Sequence, residues 1–100
     1  MSAAWNQLKV NPDVILTEMN DGTGVLLNLK TKFYFALNTT GVFVWKELEL
    51  RPAQTRSEIA GAIHRSFRVE LDRAERDLDD MVRELLDEEL VSAVSTSAQG

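Results

Sequence analysis

The sequence predicts an α+β domain: a three-stranded antiparallel sheet followed by three helices. Three observations carry this. Strand-like runs cover Val14 to Met19, Val25 to Leu29 and Phe33 to Leu37, the last two with clear period-two faces. Only short turn-forming stretches separate these runs, which implies hairpins rather than crossovers. From Asn38 onward the apolar spacing changes to three and four, the period of amphipathic helices, and it holds to about Glu89.

The strands are bounded by turn chemistry. Asn20-Asp21-Gly22-Thr23-Gly24 follows the first strand, and Asn, Asp and Gly all tolerate positive φ. In the second strand Val25, Leu27 and Leu29 share a face. Lys30-Thr31-Lys32 is a short connector. In the third, Phe33, Phe35 and Leu37 share the face expected to enter the core, with Tyr34 and Ala36 on the other.

Asn38, Thr39 or Thr40 can cap the first helix, which runs to about Leu50 with Val44, Trp45 and Leu48 as its stripe. Gly41, one turn before Trp45, leaves room for another element to approach. Arg51-Pro52 ends this helix, because the residue before proline avoids the α region. Thr55-x-x-Glu58 is a capping box opening a helix with Ile59, Ile63 and Phe67 on its stripe. Phe67 to Leu71 connects, and Asp72-Arg73-Ala74-Glu75 gives an analogous start. The third helix then carries Leu71, Ala74, Leu78, Met81, Val82, Leu85 and Leu86 on one arc and charges elsewhere. Three strands alone are marginal and each helix needs a surface to cover, so one shared core is the economical arrangement. Leu90-Val91 is expected to pack back onto it. The implied organisation is a flexible N-terminal arm over 1–12, with Trp5 and Leu8 able to dock, a folded domain over 13–91, and a disordered small-residue tail over 92–100.

Composition excludes several classes of function. One hundred residues make one domain. The absence of cysteine removes disulfides, thiolate metal sites and thiol nucleophiles. Residues 1–11 lack the apolar core of a signal peptide, and no apolar run nears the roughly 20 residues of a membrane helix. The expectation is a cytoplasmic protein with no membrane partner. The net charge of −5 is concentrated: residues 72–89 set three Arg against nine acids. A nucleic-acid partner calls for a basic face, so an acidic longest helix argues against one and for a positively charged partner.

No catalytic constellation is present. G-x-x-x-x-G-K-S/T, G-x-S-x-G and H-E-x-x-H are all missing. His64 stands among Ile63, Arg65 and Ser66 with no base or nucleophile partner and reads as an ordinary surface or boundary residue. Asp77, Asp79, Asp80 and Asp87-Glu88-Glu89 lack the alternating loop spacing of a calcium site and read as a solvated face. No metal, cofactor or catalytic residue is expected. Trp45 reads as a core anchor, and Phe43, off that stripe, as a boundary residue. Met81, on one flank of the third helix's arc, reads either as plain packing or as a pliable contact in a peptide groove.

Leu37-Asn38-Thr39-Thr40-Gly41 with Val44-Trp45 resembles the Leu-Asn-x-x-Gly/Ala-x-x-Ile/Val-Trp pattern of the PqqD-like family, the recognition elements for ribosomally made peptide precursors (RiPPs). In that family an Ile-Ala pair follows, here Ile59-Ala60, then an aromatic-x-Val connector, here Phe67-Arg68-Val69. A long acidic helix closes with Leu-Leu-x-x-x-Leu-Val, here Leu85-Leu86-Asp87-Glu88-Glu89-Leu90-Val91. The resemblance spans about Val14 to Val91. The chain departs from many relatives in having Leu50-Arg51-Pro52 rather than Asp-Gly after the first helix, and Glu89 rather than Gly before the last Leu. The Tyr-Pro-Glu-Gly motif of members serving pyrroloquinoline quinone synthesis is absent, and the Leu29 to Tyr34 hairpin looks more like stand-alone elements of lasso-peptide clusters.

The resemblance implies a non-catalytic peptide chaperone with a winged helix-turn-helix-like fold. A precursor's leader segment would add as a strand beside Phe33, Tyr34, Phe35, Ala36 and Leu37, in a groove against the third helix. Leu78, Met81, Val82 and Leu85 would form the groove wall, shared with the core. Asp77 and Glu84, on Met81's side of the arc, would meet Lys or Arg of the leader. The domain would present the leader to a maturation enzyme: a protease, cyclase or radical enzyme. Two alternatives stand beside this: a winged-helix-like DNA-binding domain, and a structural subunit of a maturation enzyme that touches no leader. Lys30 and Lys32 beside the third strand also fit ordinary charged protection of a sheet edge.

Overall fold

The computed structural model describes residues 5–52 and 54–94, and eight elements order along the chain. They are β1 (Leu8–Val10), β2 (Val14–Glu18), β3 (Gly24–Asn28), β4 (Tyr34–Leu37), α1 (Thr39–Leu50), α2 (Arg56–Phe67), α3 (Leu71–Asp87) and β5 (Val91–Ala93). Strands β2, β3 and β4 form the expected antiparallel meander, in that order, and the three helices follow it. No helix among the described residues is long and apolar enough to cross a membrane.

The helix starts follow local chemistry. Gly41 N donates to Asn38 Oδ1 at 2.8 Å, so Asn38 is the cap of α1. The capping box of α2 is complete: Glu58 N donates to Thr55 Oγ1 at 3.3 Å, and Thr55 N donates to Glu58 Oε1 at 2.8 Å. The start of α3 differs from expectation. Its N-cap is Glu70, without a side-chain hydrogen bond, and Asp72 lies inside the first turn. There a negative charge is favoured by the helix dipole rather than by capping.

The core joins both halves. Trp45, Leu48, Ile59, Ile63, Leu78, Val82 and Leu85 are buried together with Leu26 and Leu37 from the sheet. Phe43 sits at the boundary and meets Phe67 edge-on, with ring centroids 5.4 Å apart. The imidazole of His64 donates through Nδ1 to Val69 O at 2.6 Å, so this exposed residue ties the end of α2 to its connector.

Two expectations need correction, and the core face of one strand is assigned. First, the loose arm does not hold for residues 5–12: Trp5 and Leu8 are buried, and β1 pairs antiparallel with β5, Leu8 opposite Ala93 and Val10 opposite Val91. Asn11 N also donates to Leu90 O at 2.9 Å. Burial of two large apolar side chains outweighs the entropy of ordering the segment. The order reaches Val94 at the other end, and 95–100 lie outside the described residues.

Strand β3 turns Leu26, rather than its shared face of Val25, Leu27 and Leu29, to the core. Gly24, Leu26 and Asn28 are buried, while Val25 and Leu27 are half-buried on the outer face and Leu29 is exposed. The outward face is the more apolar one, so alternation alone does not locate the core. Two other features locate it. A Cβ at Gly24 would stand 2.9 Å from both Leu16 Cδ1 and Val42 Cγ2 and 3.2 Å from Thr17 O, so glycine permits this approach of sheet to helix without moving those atoms. Buried Asn28 is satisfied by its turn, accepting from Lys30 N at 2.9 Å and Thr31 N at 3.2 Å. Second, Phe33 is not a core residue. The turn brings Lys32 into the left-handed region (φ 68°), β4 begins one residue after Phe33, and Phe33 is 71% exposed.

Candidate functional site

Strand β4 is the edge of its sheet: β3 covers one side, and no strand among the described residues pairs with the other. The register sets Leu26 opposite Phe35 and Gly24 opposite Leu37. Asn28 N donates to Phe33 O at 3.0 Å. Antiparallel ladders alternate, so Phe35 and Leu37 spend their backbone groups on β3, as Phe33 does with its carbonyl while its N–H donates to Thr31 Oγ1 at 3.3 Å, whereas Tyr34 and Ala36 turn theirs toward the open edge. The edge thus offers two residues' worth of unused donors and acceptors.

Beside that edge lies a groove of about 400 Å³, lined by Phe35, Ala36 and Leu37 from β4 and by Arg73, Asp77, Asp80, Met81 and Glu84 from α3. Its end is closed by Asn38, Thr40 and Gly41 at the start of α1. The five α3 residues recur at helical spacing on one flank of the buried stripe of Ala74, Leu78, Val82 and Leu85. The buried stripe fixes the helix against the core and so fixes the flank against β4. A narrower cleft of about 50 Å³ continues past the start of β4, between Phe33, Tyr34 and Phe35 on one side and Glu88 and Leu90 on the other. Depressions of about 590 and 550 Å³ lie elsewhere, beside Gln54 and Gly61 and beside Val10 and Leu86, but neither borders an open edge of the three-stranded sheet.

The charges of the groove are partly spent within α3. Arg73 Nε and Asp77 Oδ2 are 3.5 Å apart, and so are Arg83 Nη2 and Asp80 Oδ1. Asp79, grouped with the other acids in the sequence, points away to the opposite flank and binds Arg56 of α2. Among the described residues no group of His, Cys, Asp and Glu is placed to hold a metal.

A family model described as coenzyme PQQ synthesis protein D (PqqD) matches residues 23–91. The chain belongs to the PqqD family. Among solved structures, TbiB1 in complex with the TbiA(beta) leader peptide is 32% identical, with a TM-score of 0.75 over 87% of this chain and 98% of that one. Lasso peptide synthetase B1 complexed with the leader peptide shares the fold at 22% identity, with a TM-score of 0.71 over 86% of this chain and 98% of that one. Among curated proteins, none matches the chain.

Within this PqqD-family domain the residues singled out from the sequence divide into three sets. Phe35, Ala36, Leu37, Asp77, Met81 and Glu84 come together around the groove. Phe33 and Tyr34 lie at its far end, 71% and 73% exposed. Leu78, Val82 and Leu85 are fully buried and line no part of it; they hold α3 in place from beneath. Sequence reasoning missed Asn38, Thr40, Gly41, Arg73 and Asp80. Arg73 and Asp80 were legible as members of the Asp77/Glu84 flank by spacing alone. The α1 residues required knowing that β4 runs directly into that helix.

Proposed function

We propose that this chain binds the leader segment of a ribosomally made precursor peptide and presents it to a maturation enzyme, itself performing no chemistry. The leader adds as a strand along β4, its backbone paired with Tyr34 and Ala36 and its side chains alternately entering the groove. Phe33, Tyr34, Phe35, Ala36 and Leu37 form the receiving strand. Met81 is the pliable contact, Asp77 and Glu84 are the charged rim, and Leu78, Val82 and Leu85 support the wall without touching the peptide. The observation that carries the reading is the open β4 edge lying against a groove. The leader-bound state of the two similar domains supports it. DNA binding asks for a basic surface, whereas this groove carries Asp77, Asp80 and Glu84 against Arg73 alone.

The test is an amide chemical-shift titration of the labelled chain with leader peptides of precursors encoded beside it. Saturable shifts on Phe33–Leu37 and the Met81 flank of α3 are expected. Silence toward every such leader, with clear shifts on adding a neighbouring maturation enzyme, would replace this reading with a structural subunit.

A further inference from the structure

The groove has a direction. Phe35 to Leu37 lie across from Arg73 to Glu84, and Phe33 to Phe35 lie across from Glu88 and Leu90. Strand β4 and helix α3 therefore run in opposite senses along its two walls. Its charge is graded along the same line. Arg73 and Asp77 neutralise one another near Leu37, and Asp80 is paired with Arg83. No ion pair among the described residues engages Glu84 or Glu88. These two residues are one helical turn apart, the spacing at which like charges repel; Glu84 is the last α3 residue of the larger groove, and Glu88 lines the cleft at Phe33. The apolar lining, Leu37 and Met81, shares the larger part of the groove with Glu84.

A strand laid on β4 has its side chains placed by the pleat. Positions opposite Leu37, Phe35 and Phe33 point to the α3 side, and positions opposite Ala36 and Tyr34 point to the outer face. Two peptide side chains that both reach α3 are therefore separated by an even number of residues. Antiparallel addition, the commoner pairing, carries the later residues of the peptide to the Phe33 end.

Resting on the strand-addition reading above, we infer that the groove selects an extended leader segment in which an apolar side chain seated on Leu37 and Met81 is followed, two or four residues later, by Lys or Arg meeting Glu84 and Glu88. Charge complementarity names the occupant: a cation relieves the repulsion between two unpaired carboxylates, and an acidic residue there worsens it. The apolar contact supplies most of the affinity, because the carboxylates are exposed and each such pair is worth little. The cation supplies register and direction.

The test selects random dodecapeptides, displayed on phage, against the full chain and sequences the selected pool. Apolar-x-Lys/Arg and apolar-x-x-x-Lys/Arg patterns are expected to dominate. Selection against the Glu84→Gln/Glu88→Gln variant should keep the apolar preference and lose the basic one. Replacing the selected Lys by Gln in a synthetic peptide should weaken binding about two- to fivefold, the scale of an exposed ion pair, and should change nothing in the variant. Enrichment of peptides without a basic preference, with one at odd spacing, or with one that survives in the variant overturns the inference and leaves peptide recognition standing. Failure to enrich any peptide overturns the recognition reading and takes this inference with it.

Discussion

Arg56 grips Asp79 with two parallel hydrogen bonds, Nε to Oδ1 and Nη2 to Oδ2, both 2.8 Å. This fork joins α2 to α3 on the side of α3 away from the groove. Arg56 N also donates to Asn6 O at 2.9 Å, so one residue ties the N-terminal segment, α2 and α3 together. The hydrogen bond to Asp79 raises the guanidinium pKa, against an opposing effect of burial. Both side chains remain about a quarter exposed, which limits the pair's worth. A double-mutant cycle of Arg56→Met and Asp79→Asn should give a coupling of about 1 kcal/mol. Either single change should lower Tm by several degrees, roughly 4–8 °C per kcal/mol in a domain this size. Lysine at position 56 should not restore the coupling, because a point charge cannot make the fork.

Leu78 and Met81 separate stability from recognition. Leu78 is fully buried, whereas Met81 is half-buried and lines the groove. Leu78→Ala should cost about 2–5 kcal/mol, through lost burial and the cavity left behind. Met81→Ala should cost under about 1 kcal/mol, since solvent already reaches the side chain. Its effect on peptide affinity should be the larger one, about tenfold if the side chain packs against a bound apolar residue. Thermal melts and a leader titration on both variants check this. Equal stability losses would return Met81 to plain core packing.

These contrasts show where sequence was sufficient. The βββααα order, Asn38 and Thr55 as caps, and the Met81 flank of α3 all follow from local chemistry and periodicity. They need only nearby residues. Strands β1 and β5 escaped because each has three residues, too few for a period, and they meet across some eighty positions of chain. The orientation of β3 escaped because its more apolar face, Val25, Leu27 and Leu29, is the one turned outward, while Leu26 enters the core between Gly24 and Asn28. Its direction is set by Gly24 packing on Leu16 and Val42, a tertiary fact. Phe33 escaped because a turn residue at positive φ ends the alternation one position early. The groove was half legible: its α3 wall is a helical stripe, and its closed end at Asn38 to Gly41 depends on the strand-to-helix junction.

Gly41 couples that junction to the groove. A Cβ there would stand 3.0 Å from Leu37 Cδ2 and 3.1 Å from Leu37 Cβ. Alanine ordinarily improves a helix over glycine by roughly 1 kcal/mol, less in a first turn. Here Leu37 Cβ is held by the backbone of β4 and cannot swing away, so overpacking should win and Gly41→Ala should destabilise by about 1 kcal/mol. Because Leu37 lines the groove, amide shifts should change along Phe35 to Leu37 as well as in α1. A stabilised Gly41→Ala protein would show that the junction is looser than its contacts imply.

The alternation of β4 gives the sharpest test, because proline removes one N–H at a chosen position. Ala36 is exposed and its N–H faces the open edge, whereas the N–H of Phe35 faces β3 opposite Leu26. Proline is tolerated where an edge strand's N–H meets solvent and is disruptive where it deletes a ladder bond. Ala36→Pro should therefore leave the fold close to intact, with a loss of about 1 kcal/mol or less, while weakening leader binding about tenfold through a lost backbone hydrogen bond and a blocked approach. Phe35→Pro should instead lower Tm sharply. Tyr34, which presents the other outward N–H, should behave like Ala36. If Ala36→Pro binds leader as the unmodified chain does, the peptide does not add to this edge. If Ala36→Pro and Phe35→Pro unfold alike, the alternation of the ladder is not as the register places it.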